Sequence, residues 1–206
     1  MRVLDFSPMD ASNSLATAAL TASFLDALAE APSAQEALTQ IDRCRALIAG
    51  DGIFSIQQNV TTERDAAGQV LLQRFYSSAA STFPVAGAKR KTLTLWSDCL
   101  FRQGKPFVGE GEQVLARTFD DFDQMRAYGL RSVVNVPLMQ GALCFATFNV
   151  FGACERWRPE QILGIRLLAL AAARWVPRAP GLAYELESAS SVPAADEAPR
   201  RTALQP

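Results

Sequence analysis

Between Gly129 and Gly141 the chain sets Arg131, Ser132 and Asn135 into a run that is otherwise apolar, with Val133, Val134, Val136, Pro137 and Leu138 around them. The run that follows adds Thr147 and Asn149 among Phe145, Ala146, Phe148 and Val150. Hydroxyls and amides of this kind orient a ligand by hydrogen bonding, but they supply neither a nucleophile nor a proton-transfer group unaided. An unpaired buried hydroxyl or amide costs on the order of 1–3 kcal/mol, so such groups are satisfied by one another, by backbone, by water or by a ligand. Stronger chemistries are limited by composition. The 206 residues contain no histidine, which removes Ser-His-Asp and Cys-His catalysis and histidine-ligated zinc or haem. Cys44, Cys99, Cys144 and Cys154 show no Cys-x-x-Cys spacing, so a metal or redox motif is missing too. Cys99 follows Asp98, and an adjacent carboxylate raises a thiol pKa, which favours an inert thiol. No catalytic residue, cofactor or metal site is expected.

Composition is globular, with 49% hydrophobic and 20% charged residues. A net charge of −1 and a pI of about 5.6 supply no basic field for nucleic acid. The basic cluster Lys89-Arg90-Lys91 reads as a solvated loop. Free cysteines in apolar surroundings fit a reducing cytoplasm. Asp5, Asp10 and the Ser/Thr-laced run after them argue against a signal peptide. The most apolar helix carries Arg166, so no membrane span of ~20 residues is expected.

These groups are positioned by a readable series of elements. Residues 14–30 predict a helix, with Leu20, Phe24 and Leu28 on one stripe, closing an N-terminal segment of residues 1–32. Ser33 and Glu36 form a capping box for a second helix carrying Ala37, Leu38, Ile41, Cys44 and Ile48, with Gly50 as its stop. Residues 53–60 and 70–76 predict a hairpin. Residues 77–91 read as loop, 93–103 as a short helix, and 107–108 as a short strand. Asp121 caps a helix ending at Gly129. A second hairpin turns at Gln140-Gly141, and Pro159 opens a last helix over 160–176 that is apolar nearly all round. Residues 178–206, rich in Pro, Ala, Ser and charge, predict a disordered tail. The order implies an α+β fold: an antiparallel sheet with helices on one face, roofed on the other by residues 77–127 and enclosing a pocket.

If the second hairpin turns without a bulge, Ser132, Val134, Val136 and Leu138 share a face with Asn149, Thr147, Phe145 and Leu143. That face is assigned to the pocket. Arg131, Val133, Asn135 and Pro137 would then face the terminal helices with Cys144 and Ala146. Ser132 lies opposite Asn149, and the two either satisfy each other or orient a ligand. Arg131, beside Asp120, Asp121 and Asp123, is a charge pair, a helix C-cap or an anion contact. Trp96, Phe145 and Tyr128 are core or pocket wall.

Taken in order, several motifs resemble the GAF domain family over residues 33–177. They are Trp96-Ser97-Asp98-Cys99-Leu100 with Gly104-Lys105-Pro106-Phe107-Val108, then Tyr128-Gly129-Leu130-Arg131-Ser132 leading to Val136-Pro137-Leu138. Gly141, Phe148-Asn149-Val150 and Trp157-Arg158-Pro159-Glu160-Gln161-Ile162 follow. The resemblance implies an antiparallel sheet of about six strands, N- and C-terminal helices on one face, and a small-molecule pocket under the other. It also implies sensing of a small molecule, with dimerisation through the terminal helices. Specialised branches do not match. The Asn-Lys-Phe-Asp-Glu signature of cyclic-nucleotide binders is missing, Cys99 is followed by Leu100 rather than the His of bilin binders, and residues 104–111 hold no resolving cysteine for a methionine-sulfoxide reductase.

Three functions are therefore open. The first is a stand-alone sensory or regulatory module with an unknown small-molecule ligand and a homodimer interface. The second is a dimerisation or protein-interaction module whose pocket is filled by its own side chains. The third is a reductase-like enzyme, against which the cysteine layout argues. A cavity of roughly 300 Å³ or more bounded by Ser132, Thr147 and Asn149 would favour the first, a filled pocket the second.

Overall fold

The computed structural model describes residues 22–85 and 87–186. Helix α1 (Ala22–Ala29) leads into α2 (Ala34–Ala49), then strands β1 (Gly52–Asn59), β2 (Gln69–Ser77) and β3 (Ala88–Thr92). A short α3 (Leu95–Ser97) runs into a π-helical turn, Asp98–Arg102. Strand β4 (Phe107–Glu110), helices α4 (Glu112–Thr118) and α5 (Phe122–Ala127), strands β5 (Ser132–Gln140) and β6 (Leu143–Gly152), and α6 (Pro159–Ala173) follow. The first half of the helix expected over 14–30 lies outside the described residues.

The helical layer forms as its patterning dictates. The Ser33 hydroxyl accepts from the Glu36 amide at 3.2 Å, and Ala37, Leu38, Ile41, Cys44 and Ile48 are buried along α2. Pro159 occupies the first turn of α6. Helix α6 approaches α2 closely because Gly164 lacks a side chain: a Cβ there would lie 2.8 Å from Ile48 Cγ2. Beneath these helices Phe54, Ile56, Val134, Val136, Ala146, Phe148 and Val150 join Leu38, Ile41, Ile165 and Leu168 in one core.

The six strands are ordered β3-β2-β1-β6-β5-β4, every neighbouring pair antiparallel. The two hairpins, β1–β2 and β5–β6, are thus joined edge to edge through β1 and β6. The sheet's second face carries two smaller apolar clusters, one around Ile53, Leu115, Met125, Val133 and Phe151, the other around Val70, Leu72, Trp96, Leu100 and Phe101.

The basic run and the start of the tail differ from expectation. The basic run is not a solvated loop. It is edge strand β3, with Lys89 opposite Leu72 and Lys91 opposite Val70, so both lysines turn inward while Arg90 stays exposed. Strand pairing with β2 overrides the charge of the segment, and charge directed inward also guards an edge strand against pairing with other chains. Residues 178–186 are likewise ordered against the domain. The Ala183 amide donates to the Thr61 carbonyl at 3.1 Å, and the Gly68 amide to the Glu185 carbonyl at 3.1 Å. Leu182, Tyr184 and Leu186 alternate as an extended strap should and pack into the two sides of the sheet. The average composition of residues 178–206 concealed that alternation. The rest of the tail lies outside the described residues.

Candidate functional site

The site begins with the register of β5 against β6. Gln140 faces Leu143 and Met139 faces Cys144, but the ladder then slips by one residue, so that Leu138 faces Ala146 and Asn135 faces Asn149. Phe145 is the extra residue of a β-bulge. A one-residue slip exchanges the faces of a strand, so the unbulged pairing of Ser132 with Asn149 is not formed. Asn135, not Ser132, shares the roofed face with Asn149. Ser132 lies opposite Gly152, with its hydroxyl 3.4 Å from Cys154 Sγ. Phe145 itself belongs to the helix-side core.

On the roofed face the paired asparagines form a floor. Asn135 Nδ2 donates to Asn149 Oδ1 at 2.7 Å, and Asn149 Nδ2 donates to the Thr147 carbonyl at 3.2 Å. Trp96 Nε1 donates to Asn135 Oδ1 at 2.9 Å, which ties the roof to the floor. Above lies a cavity of about 30 Å³, with Ser55 and Gln57 of β1 in its wall and Phe83, Phe119 and Met125 in its roof. By the roughly 10–15 Å³ that one water needs, this is room for about two waters. The cavity is a tenth of the volume set out for the first reading, and Ser132 and Thr147 do not bound it.

Three cations and one carboxylate line the same cavity: Arg74, Lys89, Lys91 and Asp121. Lys89 Nζ donates to Asp121 at 2.5 Å, and Lys91 Nζ to Asp120 at 2.5 Å. The Lys91 hydrogen bond holds the Asp120 carboxyl below the usual carboxylate range. Arg74 is different. Its Nη1 donates to the Pro84 carbonyl at 3.0 Å, and its guanidinium sits 5.8 Å from the Phe83 ring centroid. Its Nε is buried without a partner. Burial lowers the Arg74 pKa, and the nearby charge of Asp121 partly opposes that.

Of the residues singled out in the sequence, Trp96 and Asn149 line the cavity. Thr147 is buried, its hydroxyl unpaired, but it is not in the cavity wall. Tyr128 is 47% exposed and meets Phe83 edge-on at 5.8 Å. Arg131 is exposed and pairs with Glu155 at 3.3 Å and Glu112 at 3.9 Å, rather than with the aspartates before it. Arg74, Lys89, Lys91, Asp121 and Asn135 were missed as site residues. A readable signal existed for the lysines, since two of them flanking one arginine in a β-compatible run alternate in period two. Trp96 also lines an open groove of about 400 Å³ with Leu95, Phe107, Val108 and Val114. Among the described residues, no cluster of three or more His, Cys, Asp or Glu could hold a metal, and no helix is long and apolar enough to cross a membrane.

No protein-family model matches the chain, and no curated protein matches it in sequence. Solved structures do match in shape. The GAF domain of a phosphoenolpyruvate-protein phosphotransferase from Coxiella burnetii superposes with a TM-score of 0.56 at 11% identity, covering 79% of this chain and 93% of that one. The chromophore-binding domain of an unusual bacteriophytochrome from R. palustris gives 0.55 at 10% identity, over 81% of this chain and 62% of that one. The corresponding domain of a Stigmatella aurantiaca phytochrome gives 0.55 at 11% identity, over 83% of this chain and 63% of that one. This chain therefore spans less than two thirds of each phytochrome fragment. At these identities the likeness speaks to architecture, and the chain has a GAF-like α+β fold.

Proposed function

We propose that the protein is a sensory or regulatory GAF-like module, holding a small molecule beneath the sheet and passing its occupancy to a homodimer interface on the terminal helices. The observation that carries this reading is the partly open, polar-lined cavity set between two apolar clusters on the roofed face. Convergent polar groups in such a setting orient ligands. The interface is supported by Leu163, Leu167 and Leu170, which are 58%, 44% and 73% exposed along one stripe of α6. Leu25 on α1 and Leu47 on α2 add exposed apolar surface to the same layer, at 57% and 64%. Apolar residues on every side of a helix call for cover on more than one side.

Light scattering on the purified chain tests the interface. The wild type is expected to run as a dimer, and Leu167→Glu/Leu170→Glu as a monomer with unchanged far-UV circular dichroism. A monomeric wild type would remove the interface from the proposal. The second reading, an interaction module without a ligand, is favoured by the cavity's small volume. A thermal-shift screen against metabolites separates the two, because that module gains stability from none of them. A reductase role has little support. Cys99 Sγ lies 3.4 Å from the Pro106 carbonyl, and burial followed by the Asp98 charge raises its pKa, which disfavours the thiolate.

A further inference from the structure

We propose that the cavity takes a small planar monoanion of the carboxylate class, held beside the guanidinium of Arg74. The inference rests on the ligand-binding reading above and adds the chemistry of the ligand. Its basis is a charge inventory. Lys89 is matched by Asp121 and Lys91 by Asp120, each at 2.5 Å, whereas no carboxylate lies within ion-pair distance of Arg74 among the described residues. One positive charge is left over, which suits one negative charge. A dianion would meet Asp121 with no cation to spare.

Geometry narrows the class further. Arg74 has committed Nη1 to the Pro84 carbonyl, which leaves the side of the guanidinium that carries Nε, where the donor is buried and unpaired. A guanidinium offers parallel N–H groups, the fork that matches a carboxylate. A cavity of about 30 Å³ admits a group of formate or acetate size, not a ring or a tetrahedral phosphate with its substituents. Ser55 and Gln57, also in the wall, can donate to the second face of such an anion.

The test is a titration of the full chain, labelled with ¹⁵N-arginine, with sodium formate and sodium acetate, using sodium chloride of equal ionic strength and neutral acetamide as controls. One Nε–H cross-peak, assigned to Arg74 by its loss in Arg74→Lys, is expected to shift saturably with formate or acetate and not with chloride or acetamide. Arg74→Lys keeps the charge without the fork and should weaken binding at least tenfold, read by the thermal shift that acetate produces. Lys89→Gln removes a cation from the cavity wall and should weaken it severalfold, so a failure of Arg74→Lys to fold leaves a second variant. No shift with either carboxylate, or an equal shift with chloride, would overturn the inference. A response to acetamide alone would overturn the anion class while sparing the small-molecule reading. Silence towards all of these, together with no stabilisation by any neutral or cationic metabolite in the screen, would overturn both.

Discussion

Asn149→Leu probes the floor of the cavity most directly. Asn149 is 2% exposed, and its Oδ1 accepts from Asn135 Nδ2 at 2.7 Å. Leucine deletes that acceptor and leaves a buried amide donor facing apolar surface. An orphaned buried donor costs about 1–3 kcal/mol, so a loss of about 2 kcal/mol is expected, with the fold retained. For a domain of this size each kcal/mol moves Tm by roughly 2–4 °C, giving a fall of about 4–8 °C. The partner variant Asn135→Leu should cost more, because it also strips the acceptor from Trp96 Nε1. The double variant removes both asparagines together, so its cost should undershoot the sum of the singles by about 1 kcal/mol or more. Urea unfolding followed by circular dichroism measures all three. Additivity within about 0.5 kcal/mol, or a neutral Asn149→Leu, would refute the pairing of the two asparagines as an energetic unit. Under the proposed function Asn149→Leu should also abolish any ligand-induced thermal stabilisation.

Two further outcomes follow from the strap and the buried thiols. Tyr184 Oη accepts from the Cys144 amide at 2.8 Å and donates to the Phe101 carbonyl at 3.1 Å, so Tyr184→Phe should destabilise by about 1–3 kcal/mol and speed hydrogen exchange at the Cys144 amide. Unchanged exchange there would contradict the anchoring role. Burial pushes the Cys44 thiol up from 9.0 to about 11, Cys144 from 9.0 to about 12, and the Tyr184 hydroxyl from 10.0 to about 12. These groups lose their protons more readily in the unfolded chain. The stability they contribute is fully present below pH 9.0 and is lost as pH rises towards 12. Urea midpoints should accordingly stay flat up to pH 9.0 and fall above it, less steeply in Cys44→Ala. A flat profile across that window would count against burial as the cause.

Much of the architecture could be read from local signals that tertiary packing does not contradict. Ser33 and Glu36 start α2, Pro159 starts α6, and the alternation around Phe54 and Phe148 places the central strands. The site was harder because it depends on register. Phe145 bulges out of the ladder with no glycine beside it to mark the slip, and one uncounted residue moves Asn135 to the cavity and Ser132 away from it. The cation wall was hidden for a related reason. Lys89 and Lys91 look solvated until β2 is known to pair with them, and Arg74 looks like a surface residue of a half-buried strand until the roof is in place. Trp96 reads from the sequence as core or pocket wall, and its indole N–H link to Asn135 required the fold.

The ordered strap ties the helix side of the sheet to its roofed side. After α6 it turns, gives the Pro177 carbonyl to Gln58 Nε2, and crosses from the helix-side core to the opposite side of the sheet, where Leu186 is seated. Residues 183 and 185 are held beside the turn of the β1–β2 hairpin, where the Ala183 amide donates to the Thr61 carbonyl and the Gly68 amide to the Glu185 carbonyl. Through this one short segment the backbone runs from Leu182 in the helix-side core to Leu186 on the roofed side, a covalent link between the two faces of the sheet.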